Sequence, residues 1–462
     1  MEQLKENQNP LETEPISRLI FKYSVPTALT LMVNYLYNIV DQMFVGQGVG
    51  ITGMAATNVA FPLTIIATAL GLLIGDGGAA NISLCLGRKE QETADKIASH
   101  AVTMLVLCGA ALWLVCSLFA PGIVQLFGAT ETAFRDSLMY TRTIAWGLPF
   151  LMLCTSLTAI IRADGNPQYT MKCMMAGAVI NIVLDPIFIF GLHMGVRGAA
   201  LATITAQGVS AIWVLRFLTG RRTKLRLQRR YFRIKPSVLA PVLALGVSPF
   251  IMQSTESLVN ISFNSSLRTY GGDPAVGAMT ICSSIMQVFS MLFQGLSQGA
   301  QPIIGFNFGA GNLDRVKKTF RLLFISSLIF SCSVWAAIQL FPGLFVSLFN
   351  DKPELVEIAV WTLRVYVACM FMMGIQFSCQ QTFVALGEAK ISLFLALLRK
   401  IILLIPLIYI LPHILPGNQV FAVFLAEPIA DFLAASTTGL IFLWRFPRIL
   451  TRRRQILGPQ QP

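Results

Sequence analysis

Charge is the first thing this chain lacks. Only 12% of its 462 residues are charged, against about 25% in an ordinary soluble domain, which leaves no room for a soluble domain of useful size. Histidine is nearly absent, with three in all. No serine–histidine or metal-ligand spacing surrounds them, so an enzyme is not expected. Nine cysteines occur, mostly inside apolar runs and without a CxxC pair, and read as small packing residues. No Walker A sequence appears, which excludes nucleotide hydrolysis as the energy source. One G-x-G-x-x-G match exists, at Gly48, Gly50 and Gly53. It follows an apolar helix rather than a strand, so it reads as a turn and not as a dinucleotide site. The opening "MEQLKENQNPLETEP" has neither a basic n-region nor a cleavage site, and no signal peptide is expected.

Apolar sequence fills the rest. The chain is 55% hydrophobic, with a mean hydropathy of +0.67, and apolar runs of about 18 residues or more recur from end to end. Each is long enough to cross roughly 30 Å of hydrocarbon as a helix. The predicted fold is an all-α polytopic membrane protein with twelve transmembrane helices, near 16–45, 53–84, 97–120, 136–161, 168–192, 197–219, 238–268, 275–307, 317–341, 355–386, 390–412 and 418–444.

The basic residues orient it. Most of the 35 Lys and Arg fall in loops on one side: the N-terminal segment with Lys5, the 88–96 turn, the 216–235 stretch, 315–321, Arg399 and Lys400, and the residues beyond Arg445. The other side has Arg135, Arg142, Arg197, Arg268, Lys352 and Arg364. By the positive-inside rule both termini are cytoplasmic, in a multi-pass cell-membrane protein. The net charge of +13 then reflects a cytoplasmic face beside anionic membrane lipids, with no nucleic acid required.

The chain also repeats itself. At an offset of about 224 residues, "GMAATNVAFPLTIIATALGLLIG" lies over "GAMTICSSIMQVFSMLFQGLSQG", and a shift of one or two residues puts Pro26 on Pro249. Six helices per half give both halves the same topology, a parallel repeat about an axis along the membrane normal. The expected organisation is a lobe over 1–219, a basic linker over 220–237, a second lobe over 238–446 and a basic tail over 447–462. Duplication of this kind favours a transporter over a receptor or membrane enzyme.

The acids inside the helices are the chemical signal. A charge near the bilayer centre costs on the order of 2.5–17 kcal/mol, so each needs a reason. In the first half, Asn34, Asn38 and Asp41 share one face of helix 1, Asn181 and Asp185 one face of helix 5, and Thr203 and Gln207 one face of helix 6. All fall at similar depth in the outer half. Oxygens converging in a low-dielectric pocket suit H⁺ or Na⁺, so Asp41, Asn181, Asp185, Thr203 and Asn38 are the candidate cation ligands, with no other metal or cofactor expected.

The second half is polar in another manner. Gln253, Glu256, Asn260 and Asn264 stripe helix 7, Gln287 and Gln294 belong to a similar stripe on helix 8, and helix 10 adds Gln376 and Gln380. Amides in such number read as the wall of a water-filled cavity. Gln253, Glu256, Asn260, Gln287, Gln294 and Gln376, with Tyr37 and Asn34 of helix 1, are the candidate substrate contacts. Glu427 and Asp431 are expected to be structural or gating, and Asp76 to pair with Arg88.

Several stretches resemble one family. "NIVDQMFVGQGVGITGMAATNVAFP", "RADGNPQYTMK", "NIVLDPIFIFGLHMGVRGAALATI" and "GLSQGAQPIIGFNFGAGNLDRVKK" are similar to multidrug and toxic compound extrusion (MATE) transporters, and within them to the DinF-like branch. The resemblance implies two six-helix lobes that alternate access to a central cleft. It also implies export of organic cations and amphipathic drugs in exchange for H⁺ or Na⁺, with a first-lobe ion site matching Asp41, Asn181, Asp185 and Thr203. Some members add an acid on helix 10, which "MFMMGIQFSCQQTF" lacks. A monomer is expected. The alternative is a lipid-linked precursor flippase of the same superfamily, though the buried charges here are mainly acidic and favour cationic cargo.

Overall fold

Inside hydrocarbon no water is available to satisfy backbone N–H and C=O groups, so runs this apolar can cross only as helices or closed barrels. A computed structural model describes residues 10–349 and 353–457, and among these helix is the only regular structure. They form twelve helices of membrane-spanning length, each bent pair counted once. The first six are α1 (Ile16–Gly48), α2 (Ile51–Gly87), α3 (Gln91–Leu118), α4 (Phe134–Ala145 and Leu148–Asp164, bent by 49°), α5 (Pro167–Gly191) and α6 (Gly195–Leu218). One helical run then covers Pro236–Gly309. At 74 residues it would measure about 110 Å if straight, several times a bilayer core. It breaks at Gly272, whose φ of 64° and ψ of −161° leave helical geometry, giving α7 (236–271) and α8 (273–309). The remaining spans are α9 (Leu313–Leu340), α10 (Pro353–Tyr366 and Met370–Ala385, bent by 43°), α11 (Ala389–Ile414) and α12 (Gln419–Leu457).

Two compact units result. Val25–Gln253 is one; Ser254 onward, with the segment up to Ser24, is the other. The boundaries fall inside α1 and α7, beside Pro26 and Pro249, rather than in the basic linker. Proline lacks the N–H that would continue the ladder, so both helices are weakest there.

Within the Val25–Gln253 unit the helices approach to backbone contact. A Cβ on Gly246 would lie 1.7 Å from the Leu73 carbonyl oxygen, and one on Gly77 would lie 2.1 Å from that of Val242, so α2 and α7 touch through glycine. The linker is fastened to this unit by acids at helix ends. The Asp164 carboxylate accepts the Lys224 and Leu225 N–H groups at 2.9 and 3.2 Å, Asp95 accepts that of Arg226 at 2.9 Å, and the Tyr231 hydroxyl donates to Glu92 at 3.0 Å.

In the other unit α12 runs to Leu457, beyond the end expected at 444, and residues 447–457 of the expected tail are helical. Packing explains the extension. The Phe446 ring lies 4.6 Å from Phe442 and 5.3 Å from Phe320, and the Arg453 guanidinium donates to the Gly309 carbonyl at 2.6 Å and to that of Phe308 at 3.3 Å. Those bonds satisfy carbonyls that the C-terminus of α8 leaves open. Lys5, Lys352 and 458–462 lie outside the described residues.

Candidate functional site

In α1 the chain turns its polar face inward at Asp41, which is buried. Two further elements meet it. Asn181 and Asp185 of α5 are also buried, and the carboxyls of Asp41 and Asp185 come within hydrogen-bonding reach of each other. The Asn181 amide donates to Asp185 and to the Thr203 hydroxyl of α6, each at 3.4 Å. Three helices therefore converge as their sequence depth suggested.

The acceptors here outnumber the donors. Asn34 Oδ1, Asp41 Oδ1, Asn181 Oδ1 and Asp185 Oδ2 are all buried without a hydrogen-bond partner among the described residues, and no Lys or Arg pairs with either carboxyl among them. Buried oxygens without donors are costly, about 1–3 kcal/mol each and more when charged. A proton or a small hard cation is what satisfies such a set. Asn38 stands apart: it is exposed and its amide donates to the Asn34 carbonyl at 2.7 Å.

Local structure loosens α5 just beyond the site. Pro186 follows Asp185 directly and cannot donate to the preceding turn. The helix widens from Ile187 to Gly191 into a π turn, closed by Leu192 N–H on the Ile187 carbonyl at 2.9 Å. Such turns recur at functional positions in helices. Tyr140, on the first arm of α4, is buried and in electrostatic range of both carboxyls. The sequence reading missed it, because nothing before the fold reveals that α4 is bent by 49°. Tyr37 was expected as a substrate contact; its hydroxyl lies within reach of Gln207 and Asn38.

The expected substrate contacts divide. On α7, Glu256 and Asn260 are exposed and Gln253 is half-buried, as is Gln294 on α8, where Gln287 is exposed; this stripe is open. Gln376 is different. It is buried, its amide donating to Gln380 at 2.9 Å and its carbonyl accepting from Thr438 at 2.8 Å, so it ties α10 to α12.

Two ion-pair expectations are corrected. Asp76 faces Arg162 at 3.8 Å rather than Arg88, which is exposed, because Arg162 ends α4 on its buried side. Arg399 and Lys400, assigned to a loop by their charge, are buried within α11 on a π turn, Leu398–Leu404. Arg399 binds Asp431 at 2.8 Å and Glu427 at 3.4 Å, and Lys400 pairs with Glu256. The sequence signal was available: the pair interrupts an apolar stretch whose length spans a membrane only if they are included.

An all-helical membrane protein with a duplicated half and buried acids in each copy has the makings of a transporter, and comparison with known proteins places it. The MatE family model matches residues 26–187 and 249–410, once per half, and the chain belongs to that family. It is 24% identical over 424 residues to the multidrug export protein MepA of Staphylococcus haemolyticus, covering 92% of this chain and 93% of that one. The MATE multidrug transporter DinF-BH, whose structure was solved in complex with a ligand, is 34% identical, with a TM-score of 0.88 over 96% of this chain and 98% of its own. A MATE transporter in an outward-facing conformation shares the fold at a TM-score of 0.88, with 24% identity, 95% of this chain and 98% of that chain covered.

Proposed function

We propose that this chain exports cationic and amphipathic small molecules across the cell membrane by alternating access, in exchange for H⁺ or Na⁺ taken up at Asp41, Asn181 and Asp185, acting as a monomer with both termini cytoplasmic. The observation that carries the reading is the set of four buried, unpartnered oxygens on α1 and α5. Two carboxyls in contact and away from water are tolerable only when a proton or cation sits with them. The 34% identity to the multidrug transporter DinF-BH supports the export reading and the DinF-like branch.

Coupling requires that ion and cargo favour different states. Filling the Asp41–Asp185 pocket from outside removes the charge that holds α1 and α5 in their cargo-accepting arrangement. Pro26 and the π turn after Pro186 are where those helices can yield. Cargo leaves as the ion enters, and the ion is released on the cytoplasmic side. Glu256 and Asn260 supply a second-half contact for cargo.

The test is efflux of a fluorescent organic cation from proteoliposomes, with Na⁺ and pH gradients imposed separately, for the wild type and Asp41→Asn. Efflux driven by one gradient and lost in the variant is expected. Wild-type efflux from Asp41→Asn, or uptake of a lipid-linked precursor with no response to organic cations, defeats the proposal.

A further inference from the structure

Glu256 is not an empty carboxylate waiting for cargo, because the Lys400 ammonium already sits on it. The geometry follows from α11. Arg399 and Lys400 are neighbours on the π turn and diverge, Arg399 turning to Glu427 and Asp431 on α12 and Lys400 to Glu256 on α7. The Lys400 side chain is buried, whereas that of Glu256 is 54% exposed. A half-exposed carboxylate on a membrane span faces a watery path rather than lipid, so Glu256 is reachable from the side opposite Lys400.

The charges around it do not balance. Three carboxyls, Glu256, Glu427 and Asp431, face two fixed cations, Arg399 and Lys400. Arg399 takes Glu427 Oε1, and Glu427 Oε2 is buried with no hydrogen-bond partner among the described residues. Lys400 is already in electrostatic range of Glu427 and Asp431. One more positive charge would complete the cluster, and there is a vacant oxygen to receive a displaced ammonium.

We propose that Lys400 is a tethered stand-in for cargo: it occupies Glu256 while no organic cation is bound, and yields that carboxylate to an arriving cation by moving its ammonium to Glu427 Oε2. This rests on the reading of Glu256 as a cargo contact. Exchange keeps the buried Lys400 ammonium paired in both positions, avoiding the large cost of an uncompensated buried charge. It also makes Lys400 a determinant of selectivity. A cargo without positive charge cannot displace it, and a weakly held cation is outcompeted by it.

The experiment measures binding of tetraphenylphosphonium to the purified full chain in nanodiscs, with melting temperature as the check on folding. Lys400→Met preserves the aliphatic stem and removes the competitor, so binding tightens by about two- to fivefold, the size of a half-exposed ion pair. Glu256→Gln weakens binding in the wild type and cancels the gain in K400M. Glu427→Gln weakens binding in the wild type, where it replaces the receiving carboxylate with a neutral amide, and is silent in the K400M background, a coupling that only exchange produces. Unchanged or weaker binding in a folded Lys400→Met variant overturns the inference. Should that variant not fold, unchanged binding in Glu427→Gln overturns it instead. If Glu256→Gln leaves wild-type binding untouched, the cargo reading of Glu256 has failed. If it weakens binding while Lys400→Met does not tighten it, exchange alone has failed.

Discussion

The Asp41–Asp185 cluster and the cluster around Arg399 and Lys400 solve the burial of acid in opposite ways. In the first, Asp41 and Asp185 face each other with no basic partner among the described residues, and Asp41 Oδ1, Asp185 Oδ2, Asn34 Oδ1 and Asn181 Oδ1 lack donors among them. In the second, Glu427 and Asp431 share Arg399, and Glu256 has Lys400. A site that must take up and release an ion has to be left incomplete by the protein. A cluster that carries its own cations is held together at rest and responds only to something that competes with them.

That contrast is broken most sharply at Arg399. Arg399→Leu leaves Glu427 and Asp431 buried without their guanidinium and should cost about 3–5 kcal/mol, read as a large fall in melting temperature. Arg399→Lys should recover only part, since a point charge cannot reach both acids with the same fork. A packing control comes next. Gly246→Ala drives a methyl into the Leu73 carbonyl and should cost about 1–3 kcal/mol or more, with no change in ion preference in whatever folded protein remains.

Asp41→Asn should act with the opposite sign to Arg399→Leu. It removes one of two crowded carboxyls, so the resting protein is expected to gain about 1–2 kcal/mol while ion-driven efflux is lost. A melting temperature that falls would mean that Asp41 has a structural partner after all. The smallest effect expected is at Arg453. Arg453→Ala uncaps the Phe308 and Gly309 carbonyls, an interaction worth about 1 kcal/mol, and should lower the melting temperature by a few degrees without altering transport.

The fold was largely legible because hydrocarbon leaves the chain so few options. The span limits expected from hydropathy lie within a few residues of those found for most helices, and α12 escaped because Phe442, Phe446 and Arg453 find partners on α8 and α9. Asp41, Asn181, Asp185 and Thr203 could be read as a set, since their spacing on successive helices fixes both face and depth. Tyr140 could not, as its approach depends on the 49° bend in α4. Gln376 looked like its exposed relatives on α7, and only its bonds to Gln380 and Thr438 distinguish glue from wall.

Arg399 and Lys400 mark the limit. By composition alone, a basic dipeptide beside an apolar run signals a loop, because unpaired burial is prohibitive. Their pairing with acids 28, 32 and 144 positions away removes that penalty, and no local pattern names those partners. The sequence by itself determined how many times the chain crosses, that its halves repeat, and which first-half oxygens lie level, since helical period and membrane thickness are properties of the chain and its solvent. Tertiary structure alone decided which buried charges are answered and which are left open, because a counter-charge works through a few ångströms of space and not through position along the chain.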